Sequence, residues 1–134
     1  MVGGGVGKIE RFENLEVWQK SRELARLVYR ITAKPALGQG WSLRNQLRSA
    51  AVSAMANIAE GFERVGNKEF LQFLAISKGS SGEVRSHLYV ALDQRYITEA
   101  EHHRLHDKAL EVSRMVSGLM RHLRQSPLRG SKYK

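Results

Sequence analysis

The sequence predicts an all-α fold, an up-down-up-down antiparallel four-helix bundle with flexible termini. Apolar residues recur three and four positions apart in four long segments, which is the spacing of one face of an α-helix. Turn and capping residues separate these segments, and none alternates apolar and polar residues at period two over a useful length. Helices joined by short loops therefore account for the pattern.

The first predicted helix runs from about Asn14, an N-cap candidate, to about Thr32, where Lys34 and Pro35 end it. A loop containing two glycines follows. Ser42, a second N-cap candidate, then opens a helix that continues to about Phe62. This second helix is rich in alanine and serine, and small side chains allow neighbouring helices to approach closely. We expect it to be central.

The third predicted helix follows a turn and cap at Gly66 and Asn67 and ends near Ala91. Two internal glycines, Gly79 and Gly82, each cost about 1 kcal/mol relative to alanine in a helix. A packing reason is therefore expected for both, within the chain or between subunits.

The fourth predicted helix opens with a capping box, in which the Thr98 hydroxyl and the Glu101 carboxylate each accept a bond from the other residue's backbone N–H. Apolar residues from Leu105 to Leu123 then follow the seam of a bundle helix. We divide the 134 residues into a flexible leader at 1–11, a bundle at 12–124 and a basic flexible tail at 125–134.

The charge of the chain points to an acidic partner. The net charge is +9, and the segment after Glu111 contains six basic residues and no acid. Arginine outnumbers lysine by 14 to 8, and a planar guanidinium contacts phosphate in a bidentate way that an ammonium does not. These features favour nucleic acid as the partner.

Other classes of function find little support in the residues. The absence of cysteine excludes disulfides and thiolate chemistry, and it fits a reducing, cytoplasmic location. No apolar run is long enough to span a membrane. The histidine cluster of His102, His103 and His106 lacks the second motif that a di-iron bundle needs, so we expect no metal and no cofactor. No serine elbow is present, and we expect no enzymatic activity.

The candidate nucleic-acid contacts are basic residues on outward helix faces and in the tail. Arg22, Arg26 and Arg30 recur every four residues opposite the apolar face of the first helix, and Arg114 and Arg121 lie opposite the seam of the fourth. A solvated face is the ordinary interpretation of such stripes. The acid-free continuation into the tail favours binding. The full candidate set is Arg22, Arg26, Arg30, Arg44, Arg48, Arg114, Arg121, Arg124, Arg129 and Lys132.

Four stretches of the sequence carry a family resemblance. They are Phe12–Lys20, Gln46–Ser53, Ala56–Phe62, which contains Asn-Ile-Ala-Glu-Gly, and Lys78–Glu83, which contains Gly-Ser-Ser-Gly-Glu. In this order and separation they resemble the four-helix-bundle proteins first noticed as products of intervening sequences in bacterial 23S rRNA genes. The sequence departs from that family's pattern at Ser49, where a second arginine is usual, and at Ala54 and Met55, where a branched residue and proline are common.

The resemblance implies a homopentamer with a basic surface and a central channel. It also implies kinship with the accessory variability determinant of diversity-generating retroelements, which binds a reverse transcriptase and nucleic acid. The matched motifs supply six residues to which we assign a structural role rather than a catalytic one. They are Asn57, Glu60, Gly61, Gly79, Ser80 and Glu83.

From the residues and the resemblance together, we expect a homo-oligomeric module that binds RNA or DNA and docks a reverse transcriptase. The alternative is a protein-interaction scaffold that recognises an acidic protein and no nucleic acid. Three aromatic residues, Trp18, Tyr29 and Trp41, serve equally well as anchors for a partner or as core and subunit contacts.

Overall fold

The computed structural model describes residues 9–125, and this part of the chain is helical without strands. After a single 3₁₀ turn come one short helix and four long ones, so the all-α prediction is confirmed. The elements in chain order are the 3₁₀ turn Phe12–Asn14, α1 Glu16–Thr32, α2 Pro35–Gln39, α3 Trp41–Glu63, α4 Asn67–Asp93 and α5 Glu99–Gln125.

The observed helix starts test the N-cap residues predicted from the sequence. Neither Asn14 nor Ser42 is an N-cap, so both predictions are wrong: Asn14 lies in the 3₁₀ turn before α1, and Ser42 lies inside the first turn of α3. The Thr98 capping box is confirmed. The Glu101 N–H donates to the Thr98 hydroxyl over 3.1 Å, and the Thr98 N–H donates to the Glu101 carboxylate over 2.8 Å.

The segment predicted as a glycine-containing loop after Pro35 forms the short helix α2. Proline at the first position favours a helix start, because its missing N–H has no partner there in any case. Leu37 of α2 is fully buried, so contact with the core holds this single turn in place. The turn predicted at Gly66 between α3 and α4 is present. Gly66 has φ 87°, a conformation that glycine adopts without a steric penalty.

The four long helices contact one another in a ring. α1 packs against α3 and α5, and α4 packs against the same two helices, while α1 and α4 share no contact in residues 9–125. α3 and α4 form the most extensive contact of the four. One apolar core fills the centre, and its fully buried members include Leu24, Val28, Leu47, Ile58, Phe70, Leu74, Leu88, Leu105, Val112 and Val116.

Two buried hydroxyls fix α4 against both of its neighbours. Ser77 donates to the carbonyl oxygen of Ala54 on α3 over 2.6 Å, and Ser81 donates to that of Ala109 on α5 over 2.7 Å. Hydrogen bonds of this kind satisfy buried polar groups and set the register between helices. No helix in residues 9–125 has the length and hydropathy required to cross a membrane.

Candidate nucleic-acid interface

The outer face of α1 carries a row of exposed arginines. α1 turns Val17, Leu24 and Val28 into the core, so Arg22, Arg26 and Arg30, the α1 stripe, are exposed on the opposite side. Across the described residues, none of these three arginines forms an ion pair with a carboxylate. Glu23 on the same helix interacts electrostatically with Arg26, but Glu23 forms its salt bridges with Lys20 and Lys108, so the stripe keeps an excess of positive charge.

Lysines at the α1–α5 contact behave differently. Lys34 bonds to both carboxylate oxygens of Glu101, at 2.8 and 2.9 Å, and Lys108 bonds to Glu23 over 2.9 Å. The hydrogen bond from Lys34 lowers the pKa of Glu101, and the bond from Lys108 lowers the pKa of Glu23. These lysines hold α1 against α5, and their charge is neutralised within the chain.

The structure places Arg48 in an internal contact. Its Nε donates to the Thr32 hydroxyl over 2.7 Å, and its guanidinium lies 4.5 Å from the centre of the Tyr29 ring. Arg44, one turn earlier on α3, is half-buried, and its buried Nε has no hydrogen-bond partner. Both predicted contacts are thus recessed compared with the α1 stripe, and Arg48 links α3 to the end of α1.

The α5 arginines form a second patch. Arg114, Arg121 and Arg124 are exposed and follow Lys108 by 6 to 16 residues, which is about 9 to 24 Å along a helix. Because Lys108 meets Glu23 and Glu101 meets Lys34, the α1 stripe lies beside the first half of α5. Arg114, Arg121 and Arg124 lie in the second half of that helix. Arg129 and Lys132 lie outside the described residues.

Among the polar motif residues on α3 and α4, Asn57 and Ser80 are joined by hydrogen bonds through Ser53, whereas Glu60 and Glu83 make separate contacts. Asn57 donates to the carbonyl and the hydroxyl oxygen of Ser53, at 2.9 and 3.0 Å, and the Ser53 hydroxyl is 2.8 Å from that of Ser80. Glu60 instead pairs with Arg64, and Glu83 lies 3.9 Å from His87. Both carboxylates are exposed and make these local contacts, so they do not form a facing pair.

The motif glycines also differ from one another. A Cβ atom on Gly61 would lie 2.8 Å from the Cβ of Phe73 and 2.9 Å from the Phe70 ring, so α4 approaches α3 too closely there for a side chain. A Cβ atom on Gly79 would have no neighbour within 4 Å, and one on Gly82 would meet only the end of Arg85. Close helix packing within the chain therefore explains Gly61 and not Gly79.

Two residues of the histidine cluster pack at steep ring angles against Tyr89. His102 and His106 lie 4.6 and 5.6 Å from the Tyr89 ring centre, and burial, followed by the neighbouring histidines, lowers the pKa of His102. No set of three metal-ligating side chains converges anywhere between residues 9 and 125.

With this geometry in place, comparison with known proteins identifies the family. The model of the 23S rRNA-intervening sequence proteins matches residues 13–118. The chain belongs to this family. The match includes the whole α1 stripe and all the motif residues of α3 and α4, whereas Arg121 and Arg124 lie beyond it. Curated protein sequences gave no match.

A solved structure from Bacteroides thetaiotaomicron has the same fold as this chain. It is described as a protein of unknown function from the S23 ribosomal protein family. The TM-score is 0.71 at 21% sequence identity, and the alignment covers 78% of this chain and 97% of that one. At this identity the likeness establishes a common fold.

Contacts across long sequence separations are the part of this site that sequence reasoning missed. Arg48 reaches Thr32 and Tyr29, and Lys108 reaches Glu23 across 85 positions. No spacing rule signals such pairs. The exposed α1 stripe, by contrast, follows from the four-residue spacing alone.

Proposed function

We propose that this protein is a non-enzymatic, basic helical bundle that binds RNA or DNA, with Arg22, Arg26 and Arg30 as its principal contact. The observation that carries the proposal is the α1 stripe itself: its three exposed arginines recur about 6 Å apart along the helix axis, and none forms a salt bridge within the described chain. Unpaired arginines on a convex face suit a phosphate backbone. The arginines of α5 extend the basic surface as a second contact.

The proposal includes a homo-oligomer. On the outer surface of α3 and α4, Val52, Ile76 and Val90 are 41 to 51% exposed, and Gly79 of α4 has open space where a side chain would stand. We call this the α3–α4 face. Exposed branched side chains beside small residues are typical of a surface that another protein covers. The pentameric size rests on the family resemblance.

The proposed topology of each subunit is up-down-up-down. Three contacts between helix ends support it: Arg48 near the start of α3 with Thr32 at the end of α1, Lys34 after α1 with Glu101 near the start of α5, and Gly61 near the end of α3 with Phe70 near the start of α4. Each contact joins the end of one helix to the beginning of another, as in antiparallel neighbours.

A reverse transcriptase of a diversity-generating retroelement is the protein partner that we propose, on the strength of the resemblance. Co-purification of the two proteins tests this part. If the enzyme does not bind while nucleic acid does, the nucleic-acid function stands without this partner.

Titration of labelled RNA and DNA, followed by fluorescence anisotropy at several salt concentrations, tests the central claim. We expect binding that weakens steeply as salt rises, because counterions are released from the phosphates. Replacing Arg22, Arg26 and Arg30 together with glutamine should reduce the slope of log K against log salt by roughly 2 to 3, since each neutralised phosphate contributes about 0.7 to 0.9.

A control variant separates the stripe from the overall charge. Replacing Lys68, Lys78 and Arg95 with glutamine removes three exposed positive charges elsewhere, none of them in an ion pair within the described chain. Equal losses in the two triple variants would contradict a dedicated stripe. Absence of binding by the unaltered protein at low ionic strength would overturn the function and favour the scaffold that recognises an acidic protein.

Mass in solution tests the oligomer. The substitution Gly79→Leu fits the isolated chain because nothing lies within 4 Å of the added Cβ, and it places a bulky group on the α3–α4 face. We expect the unaltered protein to be oligomeric and the folded variant to dissociate. An oligomer of unchanged mass in the variant would exclude this part of the face from the interface.

A further inference from the structure

Tyr29 is an exposed aromatic ring within the α1 stripe. It lies one residue before Arg30 and three after Arg26, and 45% of its surface is exposed although the guanidinium of Arg48 lies against it, 4.5 Å from the ring centre. The ring thus has a cation against it, while almost half of the residue is accessible to solvent. A cation at this distance stabilises a stacked arrangement with the aromatic face.

The arrangement around Tyr29 is fixed in advance. Arg48 donates from Nε to the Thr32 hydroxyl over 2.7 Å, and that hydroxyl donates to the Val28 carbonyl over 2.7 Å. Thr32 is buried, so this chain of hydrogen bonds anchors the guanidinium that covers the ring. A ligand that stacks on Tyr29 therefore meets a surface that is already ordered, which lowers the entropic cost of binding.

The comparison with Tyr89 shows what is particular to Tyr29. Tyr89 is exposed to a similar degree, 50%, but its ring contacts are His102 and His106. Tyr29 instead combines an exposed ring, an anchored guanidinium and two unpaired arginines in one place. Aromatic rings set among arginines are the surface on which single-stranded nucleic acid is held, because every unpaired base offers a π-face while its phosphates meet the cations.

We propose that Tyr29 is a stacking platform for an unpaired base of single-stranded RNA or DNA, with Arg26 and Arg30 on the adjoining phosphates. This inference rests on the proposed nucleic-acid function and specifies its ligand. Bases in a duplex are already stacked on one another, so they gain no contact with the ring. The protein therefore favours single strands over duplexes, with little dependence on base sequence.

Anisotropy titrations test the platform with unstructured single strands of RNA and of DNA, each of ~20 nucleotides, and a duplex DNA of the same length. The variant Tyr29→Leu should lose about 5-fold or more in affinity for single strands and less than about 2-fold for the duplex, because stacking is worth several-fold per base. Tyr29→Phe and Tyr29→Trp should retain binding, since both keep an aromatic face. Tyr89→Leu, the matched control, should bind as the unaltered protein does.

The outcomes separate the two proposals. If the unaltered protein binds none of the three probes, the nucleic-acid function itself fails. If it binds and Tyr29→Leu weakens all probes equally, or none, or Tyr29→Phe loses as much as Tyr29→Leu, the platform is overturned and Tyr29 only anchors Arg48. RNA and DNA strands bound equally well indicate a base-stacking site that is indifferent to the sugar, whereas a preference for one strand identifies the natural ligand.

Photocrosslinking keeps the test independent of folding in the variants. Single strands that carry 5-iodouracil crosslink to aromatic side chains on which the base stacks. Irradiation with the unaltered protein, followed by proteolysis and mass spectrometry, should place the crosslink on the peptide that contains Tyr29. Crosslinks confined to peptides without Tyr29 would overturn the platform.

Discussion

The α1–α5 side and the α3–α4 side of the bundle differ in the contacts that join their helices outside the shared apolar core. Between α1 and α5, Lys34 pairs with Glu101 and Lys108 pairs with Glu23. Between α3 and α4, the contacts are hydroxyls and small groups, as where Ser77 donates to the Ala54 carbonyl and the Phe70 ring abuts Gly61. Beyond the shared apolar core, one seam has ion pairs and the other has buried hydrogen bonds and a close backbone approach.

The outer surfaces of these helices also differ, since one is charged and the other is apolar. The α1 stripe presents unpaired arginines, whereas the α3–α4 face presents exposed Val52, Ile76 and Val90. A seam stabilised by charge pairs is sensitive to salt, while a seam built from close contacts is not. The proposed function assigns these two outer faces to two kinds of partner, a polyanion at α1 and a protein surface at α3 and α4.

The largest effect is expected from a methyl group at the α3–α4 seam. Gly61→Ala should cost about 1–3 kcal/mol in the free energy of unfolding, because the added Cβ collides with Phe73 and Phe70 and the close-packed seam must move apart. The same change at Gly79 should stabilise the chain by up to about 1 kcal/mol, since alanine favours a helix and the space is open. Urea unfolding of both variants measures the difference. Equal stabilities would show that the seam yields freely and that shape does not control it.

A smaller pair of effects sharpens the contrast between the seams. Ser77→Ala removes a buried hydrogen bond and should cost about 1 kcal/mol, and Glu23→Gln removes a half-exposed ion pair and should cost about 0.5 kcal/mol. In concentrated salt the penalty of Glu23→Gln should disappear, because the pair is screened, while that of Ser77→Ala should remain. Unfolding measured at low and high salt tests this. A salt-independent penalty at Glu23 would contradict the electrostatic account of the α1–α5 seam.

The smallest expected effect is the response to acid. Lysine partners lower the pKa of Glu23 and of Glu101 below the ordinary value of 4.5, so both carboxylates stabilise the fold at pH values above 4.5. That contribution is lost as the pH falls through the folded-state pKa, where protonation breaks the pairs. Thermal unfolding between pH 6 and pH 3 should therefore show a steeper decline for the unaltered protein than for Glu23→Gln/Glu101→Gln. Parallel declines would assign acid sensitivity to other groups.

The sequence predicts those features of the fold whose causes are local. The Thr98 capping box forms as expected because both partners lie within one turn. Asn14 fails as a cap because its N–H bonds to the Arg11 carbonyl in a 3₁₀ turn, which leaves Leu15 at the start of α1. The short helix α2 is missed because burial of Leu37, a tertiary effect, outweighs the neighbouring glycines.

The same distinction between local and long-range causes applies to the candidate interface. Four-residue spacing identifies the α1 stripe, since a helix places such residues on one face. Arg48 has an equally basic side chain, yet its contacts with Thr32 and Tyr29 depend on how α3 approaches α1. The glycines also require coordinates: the sequence does not show whether Gly61 or Gly79 meets another helix, and the approach of Phe70 and Phe73 to Gly61 separates the two.

The two serine hydroxyls of α4 have a consequence for motion. Ser77 is hydrogen-bonded to α3 and Ser81 to α5, so α4 cannot slide or rotate against either neighbour without breaking a buried hydrogen bond. α4 is thereby held in register with both neighbours by buried hydrogen bonds, whereas the side-chain hydrogen bonds that join α1 to α5 belong to partly exposed ion pairs. A shift of α1 against α5 would break these ion pairs together with the apolar contacts of Leu24 and Val28, whereas a shift of α4 would break a buried hydrogen bond on each side.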